Sequence, residues 1–460
     1  MKIVHCADIH LGRRRLDGRL PETDFAEAFA HIAEAAIRER ADVFLLAGDL
    51  FDRPQVEPPH LRQAQDVLGR LRAAGIPVIA IEGNHDRAFL NSSEPTWLNY
   101  LADDGLLILL AMRFNADGPV LAPWEGSTRA GSWLDLGGVR FVGAGYLGAA
   151  TPHKLRQIVE RLDADKTHVL LLHAGPDYFV GEAGGFAAAD LKLIREKVSY
   201  LALGHIHKPM LHGGWACNPG SPENCDLQEA HYDLDRAGQP VPRGYALAEL
   251  RPQAAPGSRL ESLIIRSTPR RPCFHLALDC TPFGNKLKHG AVAIEQAACA
   301  LIRERAFPPH AVVQICLSGR INLNRVALEL PGLQRNIEQS TGLAAVAVDA
   351  SGINLGRLAG GPEPEVEPAS REELERGSIH ALVQEECLWG LAEEQESIAN
   401  LFYELKEAVR LDKSADELAE HIRSHRLVEK VRLATMESGT AEAADPAAAA
   451  AAAPEARPAC

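Results

Sequence analysis

Lys2-Ile3-Val4-His5-Cys6-Ala7-Asp8-Ile9-His10 opens the chain with an apolar run that ends on two metal-capable side chains. The same arrangement returns four times. Val43 to Ala47 runs into Gly48-Asp49, and Val78 to Ile81 precedes Gly83-Asn84-His85-Asp86. Val169 to Leu172 ends on His173, and Tyr200 to Leu203 leads into Gly204-His205-Ile206-His207. Short β-branched and Leu-rich runs bounded by Gly or polar residues read as buried strands. Each strand then delivers ligand-capable side chains at its carboxyl end, where open α/β sheets build their sites. Asp8 and His10, like His205 and His207, stand two residues apart, a spacing that puts both on one face of a strand end.

Carboxylate, amide and imidazole together suit divalent ions of borderline hardness such as manganese, iron and zinc. No cysteine lies among these islands, which argues against a thiolate-based structural zinc site. The donors Asp8, His10, Asp49, Asn84, His173, His205 and His207 are too many for one ion. They suit two ions that share a carboxylate, and the lone Asp49 is the natural bridge. Two ions roughly 3.5–4 Å apart can activate a water and stabilise both the attacking and the leaving oxygen of an in-line phosphoryl displacement.

In this order, the five islands resemble the motifs of the calcineurin-like metallophosphoesterases. His5 to Gly12, Ala47 to Asp52, Gly204 to Pro209 and Asn218-Pro219-Gly220-Ser221-Pro222 resemble its DNA-repair branch, which includes the nuclease subunit of the bacterial SbcC–SbcD complex. The specific resemblance covers about residues 1–250. It implies one ion on Asp8, His10, Asp49 and His207, and a second on Asp49, Asn84, His173 and His205. His85 would then be catalytic, stabilising the pentacovalent phosphorus or protonating the leaving oxygen. Asp86 either orients that imidazole or caps a helix. Asp52 stands where archaeal relatives carry a further histidine, while bacterial relatives resemble this chain. His5 and His168 are expected to be packing or surface residues. The function implied is that of a manganese-dependent DNA nuclease, with two divalent metal ions and a two-metal-activated water. It would be an exonuclease on duplex ends and an endonuclease on single strands or hairpins. Its implied partners are DNA, an SbcC-like ATPase subunit and a second copy in a homodimer. The rival readings are a small-molecule or cyclic-nucleotide phosphodiesterase or phosphatase on the same site, and a subunit that mainly scaffolds an ATPase.

Length and composition bound these expectations. At 460 residues and 46% hydrophobic content, two to four domains with substantial cores are expected. Met1 leads straight into the first strand, and no run reaches the roughly 18 apolar residues of a membrane span. A cytoplasmic protein with no membrane partner is the expectation. Nine cysteines without Cys-x-x-Cys spacing fit a reducing compartment. Cys217 with Cys225, and Cys273 with Cys280, read as buried thiols rather than a metal pair. Of the net charge of −14, residues 361–460 hold 10 Lys and Arg against 22 Asp and Glu, leaving 38 against 40 in residues 1–360. Charge therefore neither supports nor excludes DNA. The clusters Arg13-Arg14-Arg15 and Arg270-Arg271 are either phosphate contacts or solvated surface. No Gly-x-x-x-x-Gly-Lys-Ser/Thr phosphate loop occurs.

The fold class expected is α/β, a two-sheet sandwich flanked by helices over residues 1–265. Thr23 or Asp24 is expected to cap a helix to about Arg40, Leu61 to Ala73 a second helix, and Tyr245 to Leu250 a late strand. Residues 266–358 read as a small α/β domain, with strands at Phe274 to Leu278, Val312 to Leu317 and Ala344 to Val348; the resemblance implies that it caps the site and binds DNA, the alternative being a stability or dimer-contact domain. Residues 359–370 form a Pro- and Glu-rich linker. Residues 371–435 read as a helical segment whose apolar stripe, Leu382 through Val409, must be covered either by the parent domain or by a partner, the latter implied by the resemblance to be the ATPase. Residues 436–460 are an Ala-rich tail expected to be disordered.

Overall fold

The computed structural model describes residues 1–87, 95–180, 185–234, 238–255, 259–283, 290–308, 310–321, 329–355, 400–406, 421–422 and 424. Residues 1–359 form one compact unit and 360–460 another.

Two six-stranded sheets carry the chain to residue 267. Strands β1 (Lys2–Cys6), β2 (Val43–Ala47), β3 (Val78–Ile81) and β4 (Ile108–Leu109) lie parallel in the first sheet. A hairpin of β5 (Arg113–Asn115) and β6 (Gly118–Val120) follows. The second sheet comprises β7 (Trp133–Leu136), β8 (Val139–Gly145), β9 (Thr167–Leu172), β10 (Val198–Leu203), β11 (Met210–His212) and β12 (Ala216–Asn218). Here β8, β9, β10 and β12 run parallel. The chain returns to the first sheet with β13 (Gly244–Leu250) and β14 (Leu260–Ser267), antiparallel beside β1. The orders are β14-β13-β1-β2-β3-β4 and β11-β12-β10-β9-β8-β7.

Alternation along the central strands explains the four layers. Ile3, Val43, Leu45, Ile79 and Ile81 face Phe141, Val169, Leu171 and Tyr200 in the core between the sheets. The intervening Val4, Phe44, Leu46 and Ala80 face outward onto Phe25, Phe29, Leu68 and Leu101. Those residues come from α1 (Thr23–Arg38), α2 (Pro58–Ala73) and α3 (Trp97–Asp103). On the far side, Leu170, Leu172, Leu201 and Leu203 pack on Leu155, Ile158, Leu191 and Ile194. They belong to α4 (Thr151–Glu160) and α6 (Ala188–Lys197), with the single turn α5 (Asp177–Val180) between them. Strands buried on both faces need continuous apolar runs rather than alternating ones, which is why these segments were readable. Each fully buried Leu or Phe contributes about 1.5–3 kcal/mol.

A third, parallel sheet follows, in the order β15 (Cys273–Asp279), β16 (Val312–Ile321), β17 (Ala345–Leu355). Its helices are α7 (Gly290–Arg305) and α8 (Leu330–Thr341). They share a core of Leu276, Ile294, Ile302, Val313, Ile315 and Ile337. Leu20 and Leu227 pack against Val312 and Ala345 and join this small sheet to the sandwich.

Three expectations change. The two arginine clusters are not free for phosphate: Arg15 is buried against Asp24 and Glu223, Arg14 pairs with Glu22 and Glu57, and Arg13 pairs with Asp52. Arg270 and Arg271 pair with Asp233 and Asp24. Second, Asp24 does not cap α1, because Glu22 holds the cap position and Asp24 is buried between Arg15 and Arg271. Third, α1 ends at Arg38, short of Arg40. The expected linker, most of the 371–435 segment and the tail lie outside the described residues; 400–406 are helical. No helix among the described residues is long and apolar enough to cross a membrane.

Candidate metal centre

The five donor islands emerge from the carboxyl ends of β1, β2 and β3 in one sheet and of β9 and β10 in the other. Past the strands, the backbone turns left-handed at the donors themselves: φ is 55° at Asp8, 51° at His10, 54° at Asp49 and 84° at His205. The two-residue strand spacing therefore does not aim these side chains; loops in a sparsely populated conformation do. Each such residue costs of order 1–3 kcal/mol and persists only where its surroundings over-determine it. Two glycines make room. A Cβ on Gly48, at φ 93°, would lie 2.3 Å from His173 Nδ1, and one on Gly83 would lie 2.0 Å from Asp49 Oδ1.

The donors converge around Asp49. Its Oδ2 lies 3.2 Å from His173 Nε2 and 3.8 Å from His10 Nε2, while its Oδ1 accepts the backbone N–H of His85 at 2.9 Å. On one side, His10 Nε2 lies 3.1 Å from His207 Nε2, and the donor atoms of Asp8, His10 and Asp49 fall within 4.8 Å of one another. On the other, Asn84 Oδ1 meets His173 Nε2 at 3.1 Å and His205 Nδ1 at 2.9 Å. All seven donors expected from sequence are thus brought together.

Hydrogen bonds behind the imidazoles fix their tautomers. His173 Nδ1 donates to the carbonyl of Ala47 at 2.8 Å, and His207 Nδ1 donates to Glu229 Oε1 at 2.5 Å, so both rings direct Nε2 inward. Glu229 was not singled out from sequence. It sits in a 3₁₀ turn after the Asn218-Pro219-Gly220-Ser221-Pro222 stretch, and only that stretch hinted at a role. Its other oxygen accepts from Ser221 Oγ and from the backbone N–H of Cys225.

His85 stands edge-on to His10, ring centroids 4.8 Å apart, with Nδ1 donating to the carbonyl of Asp52 at 2.8 Å. This corrects the reading of Asp86 as the group that orients His85. Among the described residues its carboxylate makes no hydrogen bond to the His85 ring and accepts instead from the backbone N–H groups of Gly83, Asp49, Leu50 and Phe51. It ties the loop after β2 to the loop after β3. Asp52 does the orienting instead, holding His85 through its carbonyl and approaching His10 Nδ1 to 3.5 Å with a carboxylate oxygen. Of the expected packing histidines, His5 is buried between the sheets, 2.6 Å from the Tyr200 hydroxyl, and His168 is buried at the start of β9.

Electrostatics divide the donors. Burial would push the Asp49 carboxyl up, but the His173 imidazole beside it holds it well below the usual range. Burial likewise disfavours a proton on His173, yet Asp49 raises it to about 9. Burial lowers His205 to about 4. Asp8 Oδ2 is buried without a hydrogen bond. An orphaned buried carboxylate oxygen, two imidazole Nε2 atoms nose to nose and an all-N/O set of seven donors fit divalent cations.

Residues 1–209 match the family described as calcineurin-like phosphoesterase. The chain is 34% identical over 241 residues to the DNA double-strand break repair protein Mre11 of Archaeoglobus fulgidus, covering 50% of this chain and 52% of that protein. It is 29% identical over 219 residues to the Mre11 of Aeropyrum pernix, covering 46% and 50%, and 29% over 262 residues to that of Haloferax volcanii, covering 55% and 50%. The chain spans about half the length of these curated relatives. Strand-end donors drawn from two facing sheets, within a segment that matches on sequence, make residues 1–209 a calcineurin-like metallophosphoesterase domain with relatives among the Mre11 repair proteins.

Proposed function

We propose that this chain is a DNA nuclease that hydrolyses phosphodiester bonds with two manganese ions. The observation that carries the reading is Asp49, whose Oδ2 faces one donor set at 3.8 Å and the other at 3.2 Å. Asp8, His10, Asp49 and His207 would hold one ion, and Asp49, Asn84, His173 and His205 the second. When bound, two such ions supply Lewis acidity and an activated water for in-line displacement at phosphorus.

The chain's own residues do the rest. Asp86 clamps the loops after β2 and β3 through four backbone N–H groups, which keeps Asp49 and His85 in fixed relation. With Nδ1 committed to the Asp52 carbonyl, His85 offers only Nε2 to a scissile phosphate. A proton on that nitrogen would stabilise charge on the phosphoryl oxygens and pass to the leaving 3′ or 5′ oxygen. Glu229 holds the His207 ring so that its lone pair stays inward.

Relatives named as double-strand break repair proteins support DNA as substrate. The proposal extends to exonuclease action on duplex ends, endonuclease action on single strands or hairpins, homodimerisation and an SbcC-like ATPase partner in the cytoplasm. The apolar pattern of residues 382–409 is the sequence support for that partner. The test is manganese-dependent degradation of an end-labelled duplex by the purified chain and its His85→Ala variant, beside a small chromogenic diester. DNA cleavage that vanishes in the variant is expected. Hydrolysis of the small diester with DNA left intact, even with an ATPase partner added, would replace the nuclease reading with a small-molecule phosphodiesterase.

A further inference from the structure

Seven N/O donors do not exhaust the side chains that reach this centre. The sulfur of Cys225 lies within 4.8 Å of one ring nitrogen each of His10 and His207, and those two nitrogens lie within the same distance of each other. Cys225 is buried at 3% exposure, beyond β12 and before the turn that carries Glu229. Two bonds pin its backbone. Its N–H donates to Glu229 Oε2 at 2.8 Å, and its carbonyl accepts from Arg13 Nε at 3.3 Å. The carboxylate that orients His207 therefore also fixes the cysteine, so sulfur and imidazole are positioned together. The sulfur forms no disulfide. An independent observation points to a cation on the same side of the centre: Asp8 Oδ2, fully buried and grouped with His10, makes no hydrogen bond.

We infer that Cys225 is a metal ligand in this chain, adding a thiolate to the ion held by Asp8, His10 and His207. The inference rests on the metal-centre reading above and adds to it the softness of one site. Ligation replaces the S–H bond with an S–metal bond, and the proton leaves to solvent, as for any thiol that binds a metal. A thiolate beside imidazoles also suits zinc or ferrous iron, so this position would exchange manganese for those ions more readily than the other. The two positions would then differ in kind: a softer one at His10, His207 and Cys225, and an all-N/O one at Asn84, His173 and His205. A consequence for chemistry follows, since a ligating thiolate is the form that peroxides oxidise first to sulfenic acid. Oxidation of that one atom would alter a ligand set otherwise inert to redox.

X-ray absorption of the zinc-loaded full chain tests this without recourse to turnover. A sulfur scatterer at about 2.3 Å, present in the wild type and lost in Cys225→Ser, is expected. Cys316→Ser, a thiol in the small sheet away from the centre, should keep it. Cobalt loading gives a second readout in the intact wild type, a thiolate-to-metal charge-transfer band, should Cys225→Ser fail to fold. Zinc bound in a shell of nitrogen and oxygen alone, with no such band for cobalt, would overturn the thiolate while leaving the metal centre standing. Failure of the wild type to bind any divalent ion would instead overturn the centre itself.

Discussion

Asp52 was set aside in sequence because it occupies a position where some relatives carry histidine, yet it touches both His10 and His85. Its role runs partly through a backbone carbonyl, an atom every residue possesses, so no side-chain pattern could announce it. Glu229 escaped notice for a related reason: it acts on His207 across 22 residues and never faces the ion positions directly. The donors themselves were legible because their chemistry is in the side chain. Removing His85 should leave the metal in place. We expect His85→Ala to keep its metal content by elemental analysis and to lose turnover by about 10²–10⁴-fold. Asp49→Ala should lose both, because it removes the shared oxygen and frees the His85 backbone that Oδ1 holds. Nuclease activity in a verified metal-free Asp49→Ala preparation would overturn the sharing. Glu229→Gln should weaken metal affinity by about 10–100-fold, measured by calorimetry, with the fold unchanged by circular dichroism.

Strands carry the fold's legibility. β1, β2, β3, β9 and β10 are apolar on both faces because each is covered by a sheet on one side and a helix layer on the other, and this left unbroken runs to read. The left-handed donors beyond them were not readable, since φ belongs to tertiary context and not to the Asp-x-His pattern. One contact between elements has a pH consequence. His5 on β1 meets Tyr200 on β10, joining the two sheets through the core. Burial lowers His5 to about 3, whereas in the unfolded chain a histidine titrates near 6.5. Between those values the unfolded state binds one more proton, so stability falls on acidification. Replacing His5 by Gln should reduce the loss of melting temperature between pH about 7 and about 5, read by scanning calorimetry. Equal losses in both proteins would assign the acid response elsewhere. The buried ion pairs of Asp24 with Arg15 and Arg271 link α1 to the entry of the small sheet. Asp24→Ala leaves Arg271 without its carboxylate and Arg15 with Glu223 alone, and should cost up to about 3–5 kcal/mol in denaturant unfolding.

At the scale of the molecule, the donors and, among the described residues, those that orient them, from Asp8 to Glu229, lie within the unit that ends at Ala359. A chain truncated there should load the same amount of metal as the full chain and bind it equally well, by elemental analysis and calorimetry. A loss of metal would mean that residues 360–460 complete the centre. That region also carries −12 of the net −14, which separates the acidic charge from the metal-bearing part of the sequence. Composition thus spoke to the ends of the chain and the motif order to its beginning. The small sheet's attachment through Arg19 and Arg271 was hidden, because residues 319 and 247 positions apart meet there. Asp8, His10, Asp49 and Asn84 come from one sheet, while His173, His205 and His207 come from the other. Two sheets packed out of their native alignment would leave the donors of one without those of the other. Metal binding at this centre would therefore report that the two sheets have met in their native alignment.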